Sequence, residues 1–224
     1  PTGETLPESA RRNILDLAAE LDIAVIGDAA YQSLRYDGDE VPPLLALDIA
    51  RTGSIETTRT IYCGSFSKTL APGLRVGWVC AATPVISKLV LMKQAADLHS
   101  ATLNQMAIHR VASDGFEAQV AKIKATYQAR RDAMLAALAR HMPEGVTWTK
   151  PDGGMFVWVT LPETFDGAAL LAESIKTERV AFVPGRAFFA DGSGANTIRL
   201  SFSCANEAMI EEGIKRLGRV VRGG

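Results

Sequence analysis

A helix that leads directly into an apolar strand is the feature that most constrains the fold of this chain. Apolar residues recur at three- and four-residue steps from Ile14 to Leu21, which predicts an amphipathic helix that opens near Glu8. The next segment, Ile23–Asp28, has four apolar residues followed by Gly-Asp, a pattern typical of a strand buried on both faces. A helix followed by such a strand is half of a β-α-β unit, so an α/β fold is predicted, with a preceding strand expected before residue 1.

The first half of the chain repeats this alternation of apolar strands and helices. Buried strands are predicted at residues 60–64 and 76–81, and helices at 44–50, 84–99 and 102–113. The segment Asp48–Thr60 contains turn residues. Together these elements predict a sheet with helices over residues 1–115, in an α/β arrangement.

The second half has a different, smaller α+β pattern. Gly115 marks a break, after which helical spacing continues to Met142, and Pro143 ends this long helix. Strands are predicted at residues 154–159, 180–183 and 198–202, and helices at 168–178 and from a cap near Asn206 to Val221. A connecting helix and a small C-terminal domain are therefore predicted over residues 116–224.

Composition excludes several classes of function. Lys and Arg number 24 and Asp and Glu number 25, a net charge of −1 that argues against a nucleic-acid surface or a polybasic membrane patch. No apolar run approaches the roughly 18 residues that a membrane span needs. The three histidines show no ligand-like pairing, so no metal site is expected. The three scattered cysteines favour a reducing, cytoplasmic setting, with Cys63 and Cys80 interpreted as inert core thiols.

Chemically versatile side chains are concentrated in one segment between two predicted strands. Ser65, Ser67, Lys68 and Arg75 lie within eleven residues. Hydroxyl and guanidinium groups are common phosphate ligands, and a lysine at the edge of a core can act as an amine nucleophile. The alternative for each residue alone is a polar loop whose serines cap the backbone and whose cations face water.

Several segments, taken in order along the whole chain, resemble the motifs of one enzyme family. The segment around Lys68 resembles the lysine signature of fold-type I pyridoxal-phosphate enzymes, and of class I/II aminotransferases in particular. The resemblance is strongest to the branch that contains 2-aminoadipate and kynurenine aminotransferases and the aminotransferase-like halves of certain transcriptional regulators. The other segments that resemble family motifs are Pro1-Thr2-Gly3, Asp28-Ala29-Ala30-Tyr31, Gly153–Phe156, Phe182–Gly185 and Thr197–Phe202.

This resemblance implies roles around the cofactor ring. Lys68 matches the lysine that forms a Schiff base with pyridoxal 5'-phosphate and then shuttles the substrate α-proton. Asp28 matches the carboxylate that pairs with the pyridine nitrogen, and Tyr31 the phenol that donates to the ring oxygen. Without the resemblance, Asp28 is equally well interpreted as a turn residue at the end of a strand. The alternative for Tyr31 is a half-buried aromatic residue of the core.

The resemblance also implies two anion sites. Ser65, Ser67 and Arg75 match the residues that hold the cofactor phosphate. Arg199 matches the arginine that clamps the substrate α-carboxylate as a bidentate fork. The alternative for Arg199 is a surface cation on an amphipathic strand.

The function that the resemblance implies is transfer of an amino group between an α-amino acid and a 2-oxo acid, in a homodimer. Two alternatives stay open: another reaction of the same cofactor (a lyase, decarboxylase or racemase), or a ligand-sensing domain of a transcriptional regulator. Family members are longer at the N-terminus, so the chain is expected to be a C-terminal part that is inactive alone.

The resemblance further implies the fold of pyridoxal-phosphate-dependent transferases. Residues 1–115 would be the C-terminal half of its large cofactor-binding domain, with a mostly parallel sheet, and residues 116–224 the connecting helix and the small domain. The segment Asp48–Thr60 is longer than the usual connection in this family and is interpreted as a surface insertion.

Overall fold

The computed structural model describes residues 2–223, which form two compact units. Residues 6–123 form the first, here called the lysine unit, and residues 2–5 with 124–223 form the second, the arginine unit. Pro1, the first residue of the Pro-Thr-Gly motif, lies outside the described residues. The division into domains at residue 115 stays a prediction.

The lysine unit contains one three-stranded sheet and the helices around it, much as the sequence predicts. The strands, in the sheet order β1-β2-β3, are β1 (Val25–Asp28), β2 (Thr60–Ser65) and β3 (Gly77–Cys80). The helices are α1 (Glu8–Glu20), α2 (Leu44–Thr52), α3 (Thr83–Ala96) and the first part of α4 (Thr102–His141). Gly115 has a non-helical backbone conformation inside α4, which confirms the predicted break.

The sheet contains both parallel and antiparallel neighbours, and it is less buried than the sequence predicts. Strands β1 and β2 are parallel, but β2 and β3 are antiparallel. Parallel neighbours need a crossover of a dozen or more residues, usually an α-helix. The connection after β2, residues 66–76, contains only a 3₁₀ turn at Pro72–Leu74, and the chain reverses. Burial of both sheet faces is wrong for this chain, because Ile26 is 69% exposed and β3 is exposed along its length. Cys80 on β3 is therefore not a core thiol, and Cys63 is only partly buried.

The segment interpreted as a surface insertion is anchored at both ends. Asp48 is 4% exposed, and its carboxylate accepts hydrogen bonds from the Arg59 backbone N–H and the Thr60 hydroxyl, both at 2.9 Å. Glu56 accepts from the Thr83 hydroxyl at 2.7 Å and the Thr83 N–H at 3.0 Å, and these bonds lower the pKa of Glu56. The segment thus ties α2 to β2 and caps the first turn of α3, which an unanchored insertion would not do.

The arginine unit is the small α+β arrangement that the sequence predicts. Its antiparallel sheet, in the order β4-β5-β7-β6, consists of β4 (Thr147–Trp148), β5 (Phe156–Thr160), β7 (Thr197–Ser201) and β6 (Val183–Pro184). Its helices are the end of α4, α5 (Gly167–Glu178) and α6 (Glu207–Gly223). Side chains of the central strands and of α4 form a dry core that includes Leu138, Val157, Ile198 and Phe202. The predicted cap of α6 is confirmed, because Asn206 Oδ1 accepts from the Met209 N–H at 2.9 Å.

An ion-pair cluster joins the end of α4 to α6 and makes the unit sensitive to acid. Glu211 accepts hydrogen bonds from Arg140 and, at 2.7 Å, from His141 Nε2, and these bonds lower its pKa from 4.5 to about 2. A carboxylate with a depressed pKa stabilises the fold above its unfolded pKa and loses that contribution as pH falls through the folded pKa. We expect Glu211→Gln to reduce the loss of thermal stability between pH 4.5 and about 2. Unfolding midpoints measured across this range test it, and Glu144→Gln, an exposed carboxylate in the loop after α4, should leave the profile unchanged.

Candidate active site

Polar residues converge where the parallel strands β1 and β2 end. Asp28, the last residue of β1, lies opposite Cys63 of β2, and the Ala29 N–H continues the pairing by donating to the Cys63 carbonyl at 2.9 Å. Strand β2 then leads directly to Ser65. Because carboxyl ends of parallel strands meet at one edge, Asp28 and Ser65 share an edge of the sheet, the usual position of ligand sites in α/β folds. The Asp28 carboxylate is exposed there and accepts from the Ala30 N–H at 3.3 Å.

The turn after β1 brings Tyr31 to Lys68. The Gln32 N–H donates to Ala29 and the Leu34 N–H to Tyr31, so the turn is held by its own backbone. Lys68 Nζ lies 5.5 Å from the centre of the Tyr31 ring. An amine over a phenol face is a cation–π contact, so two residues predicted from separate motifs are adjacent in the lysine unit.

The loop that carries the hydroxyls and the amine is a hydrogen-bonded turn. Ser65 Oγ accepts from the Ser67 N–H at 3.0 Å, and the Phe66 carbonyl accepts from the N–H groups of Leu70 and Ala71 at 2.9 and 3.1 Å. Thr69 within this turn is only 4% exposed. Ser65, Ser67 and Lys68 are therefore displayed by one ordered turn rather than by a solvated loop.

Aromatic packing fixes the turn to the sheet. The Phe66 ring lies 4.5 Å from Trp78 and 6.3 Å from Phe116, measured between ring centres. A Cβ atom at Gly64 would lie 2.3 Å from the Trp78 indole, so only glycine lets this ring cross β2. Phe66 therefore anchors the turn to Trp78, and Gly64 leaves the space that the Trp78 ring occupies.

Arg75 occupies a strained backbone position at the end of the same loop. Its φ of 53° and ψ of 44° are left-handed, which is uncommon for a residue other than glycine. Its guanidinium donates to the Pro72 carbonyl at 3.2 Å, and Asn104 Nδ2 donates to the neighbouring Leu74 carbonyl at 2.9 Å. Such strain persists where surrounding contacts impose it, and it is frequent at ligand sites.

Arg199 lies in the arginine unit, on the central strand β7. Its guanidinium carbon is 4.0 Å from the centre of the Phe156 ring and 4.6 Å from that of Phe188. Its Nε atom is buried and, among the residues that the structure describes, has no hydrogen-bond partner. Arg199 is therefore a partly buried cation between two aromatic rings, unlike the fully solvated surface cation of the alternative interpretation.

Phe156 and Phe188 are contacts that sequence reasoning missed. Phe156 is part of the Gly-Gly-Met-Phe motif, and a pairing of β5 with β7 would have placed it near Arg199. No pattern in the sequence signals Phe188, because it approaches Arg199 through a 3₁₀ turn, Gly185–Phe188.

Residues 2–223 contain no group of three or more His, Cys, Asp or Glu side chains that could hold a metal ion. None of their helices is both long enough and apolar enough to cross a membrane.

Comparison with known proteins places these features in a family. The family model for "Aminotransferase class I and II" matches residues 1–217. The chain is 44% identical to an aromatic-amino-acid aminotransferase of Thermococcus litoralis, over 99% of this chain and 52% of that protein. It is 34% identical to an HTH-type transcriptional regulator of Bacillus subtilis, over 99% of this chain and 44% of that protein.

A solved structure of an aminotransferase also matches this chain. The α-aminoadipate aminotransferase of Thermus thermophilus, complexed with N-(5'-phosphopyridoxyl)-L-leucine, matches with a TM-score of 0.94 and 41% identity. The match covers all of this chain and 56% of that one. The chain therefore spans about half the length of the proteins that it matches.

Proposed function

The chain belongs to the class I and II aminotransferase family, and from this premise we propose that the whole protein transfers an amino group between an α-amino acid and a 2-oxo acid. The observation that carries the proposal is the ordered turn after β2, which presents Lys68 beside Tyr31. Pyridoxal 5'-phosphate is the cofactor, in agreement with the phosphopyridoxyl compound bound to the Thermus thermophilus relative.

The donor set of the lysine unit fits this cofactor. When bound, pyridoxal 5'-phosphate supplies an aldehyde that carries the amino group and a ring that takes up carbanion electrons. Asp28, exposed at the end of β1, provides a carboxylate for a protonated ring nitrogen. Tyr31 provides a phenol for the ring oxygen, and Lys68 an amine that bonds to the cofactor and moves a proton at the substrate α-carbon.

Two anion sites complete the proposal. Ser65 Oγ is already an acceptor from the Ser67 N–H, so its own hydroxyl hydrogen is left to donate to the phosphate. Ser67 and Arg75 complete the phosphate ligands in the lysine unit. In the arginine unit, Arg199 binds the substrate α-carboxylate through the planar edge of its guanidinium.

The test uses the protein expressed from its whole coding sequence and loaded with pyridoxal 5'-phosphate. An α-amino acid and a 2-oxo acid are supplied together, and the expected result is stoichiometric formation of the second amino acid. Release of ammonia or carbon dioxide, or racemisation without amino transfer, would identify another reaction of the same cofactor and contradict the proposal.

A second candidate is favoured by the Bacillus subtilis relative, which is named as a transcriptional regulator. In that case the same residues would bind the cofactor and an amino acid to control a DNA-binding segment. Reading the gene upstream of residue 1 decides between the two, since a winged-helix segment would favour the regulator. For the enzyme we propose a cytoplasmic homodimer, a setting that agrees with three free cysteines.

We expect the 224-residue chain on its own neither to transaminate nor to bind the cofactor tightly. Its relatives are almost twice as long, and each lost hydrogen bond to a charged group costs about 1.5–3 kcal/mol, so several lost contacts remove several decades of affinity. Titration with pyridoxal 5'-phosphate, followed by absorbance, tests this. A stoichiometric absorbance change with turnover of an amino acid would contradict it.

A further inference from the structure

The aromatic rings around Arg199 attract its positive charge but accept no hydrogen bonds from its N–H donors. Both Phe156 and Phe188 lie within cation–π distance of the guanidinium. Neither ring offers an acceptor in the guanidinium plane, where all five N–H donors lie. Within residues 2–223 no carboxylate forms an ion pair with Arg199, so a ligand carboxylate has no competitor there.

A different structural element places each ring next to Arg199. Trp158 of β5 lies directly opposite Arg199, so Phe156, two residues earlier, projects from the same face of the sheet. Val183 of β6 pairs with Arg199 on the other side, and the 3₁₀ turn that follows β6 carries Phe188 back over β7. The ring of Trp158 contacts that of Phe188 edge to face at 5.5 Å and supports it.

A glycine allows the turn to come this close. A Cβ atom at Gly185 would lie 1.9 Å from Thr197 Oγ1 and 2.9 Å from the Thr197 carbonyl. Because the second of these atoms is backbone, a larger residue would push the turn, and Phe188 with it, away from β7. The approach of Phe188 to Arg199 is thus a fixed feature of the unit and not a chance side-chain contact.

We propose that Phe156 and Phe188 are positioning residues that hold the Arg199 guanidinium in the orientation in which it binds the substrate α-carboxylate. The proposal rests on the proposed function. Cation–π contacts are worth most where the cation is desolvated, so removing one ring should weaken carboxylate binding about 5- to 20-fold. The loss should appear mainly in KM, because an orienting contact present in the free enzyme serves ground state and transition state alike.

The test compares leucine with isoamylamine, the same compound without its carboxylate, as amino donors for the loaded whole protein. Phe156→Leu and Phe188→Leu should each lower kcat/KM for leucine about 5- to 20-fold and leave that for isoamylamine unchanged. Phe188→Tyr, which keeps an aromatic ring, should keep kcat/KM for leucine near the wild-type value. The matched control is Phe189→Leu, since Phe189 is 40% exposed against 39% for Phe188 but packs on Trp158. Phe189→Leu should leave kcat/KM unchanged for both amino donors.

The second measurement needs no turnover. Calorimetric titration of the wild type and of each variant with the 2-oxo acid of leucine measures how tightly that carboxylate binds. If Arg199→Ala weakens binding and the two Phe→Leu variants do not, the positioning role is wrong and the carboxylate site stands. If Arg199→Ala changes neither measurement, or the wild type binds no 2-oxo acid, the carboxylate site fails and the positioning role with it. Equal losses for leucine and isoamylamine would reveal a structural effect and overturn the proposal. Should Phe188→Leu fold poorly, Phe188→Met gives the same comparison.

Discussion

Replacement of Lys68 by alanine is expected to abolish attachment of pyridoxal 5'-phosphate and to lower transamination at least about a thousandfold in the whole protein. The structure gives the reason, since Lys68 is displayed on a hydrogen-bonded turn and its amine lies 5.5 Å from the Tyr31 ring centre. Loss of the amine removes both the cofactor attachment and the group that moves the α-proton. Borohydride reduction of the loaded protein, followed by peptide mapping, should place a phosphopyridoxyl label on Lys68 alone.

Other lysines provide the control for this result. Lys88 and Lys93 lie on the exposed helix α3, and Lys93 is held by Asp97 at 2.9 Å. Lys88→Ala and Lys93→Ala should keep both the label and the turnover. A label on either of these lysines, or an active Lys68→Ala variant, would show that the amine nucleophile has been assigned to the wrong residue.

Elements whose cause is local were predicted well from the sequence. The apolar stripe from Ile14 to Leu21 specifies α1, and Asn206 specifies the start of α6 through its own side chain. Gly115 interrupts α4 as its position predicts. The cap and the glycine act within about one helical turn, and the stripe of α1 is visible as a local period, so the sequence contains each of these signals.

Features that depend on distant partners were predicted poorly. The apolar character of β1 and β3 predicted that other elements would pack on both of their faces. Hydropathy does not show which elements would do so, and Ile26 remains exposed. The direction of β3 depends on the path of the preceding loop, which hydropathy does not record. Asp48 was missed as an anchor because its partners, at Arg59 and Thr60, are eleven and twelve residues away.

The same distinction applies to the candidate site. Lys68 and its two serines belong to one turn, so motif and geometry agree at short range. The adjacency of Lys68 and Tyr31 depends on the parallel pairing of β1 and β2, which the α/β pattern did predict. The rings around Arg199 depend on two cross-strand registers and a 3₁₀ turn, and these follow from tertiary packing alone.

The other large effect is expected at Arg199, where substitution by alanine should lower kcat/KM for amino acids about 30- to 1000-fold. A charge-assisted pair with a carboxylate in a desolvated site is worth roughly 2–4 kcal/mol, which gives this range. The buried Nε and the two aromatic contacts show that part of the guanidinium is shielded from water, as this range assumes. Steady-state kinetics of the whole loaded protein with a series of amino acids measures the effect.

Arg199→Lys separates charge from shape in the same assay. Lysine keeps the positive charge but lacks the planar fork, so it should recover little of the lost kcat/KM. Arg216→Ala is the matched control, because Arg216 belongs to the same unit but lies at the surface of α6, 2.8 Å from Glu212, and should leave kinetics unchanged. Kinetics near wild type for Arg199→Ala would contradict the carboxylate site and make Arg199 a structural cation whose charge is satisfied by Phe156 and Phe188.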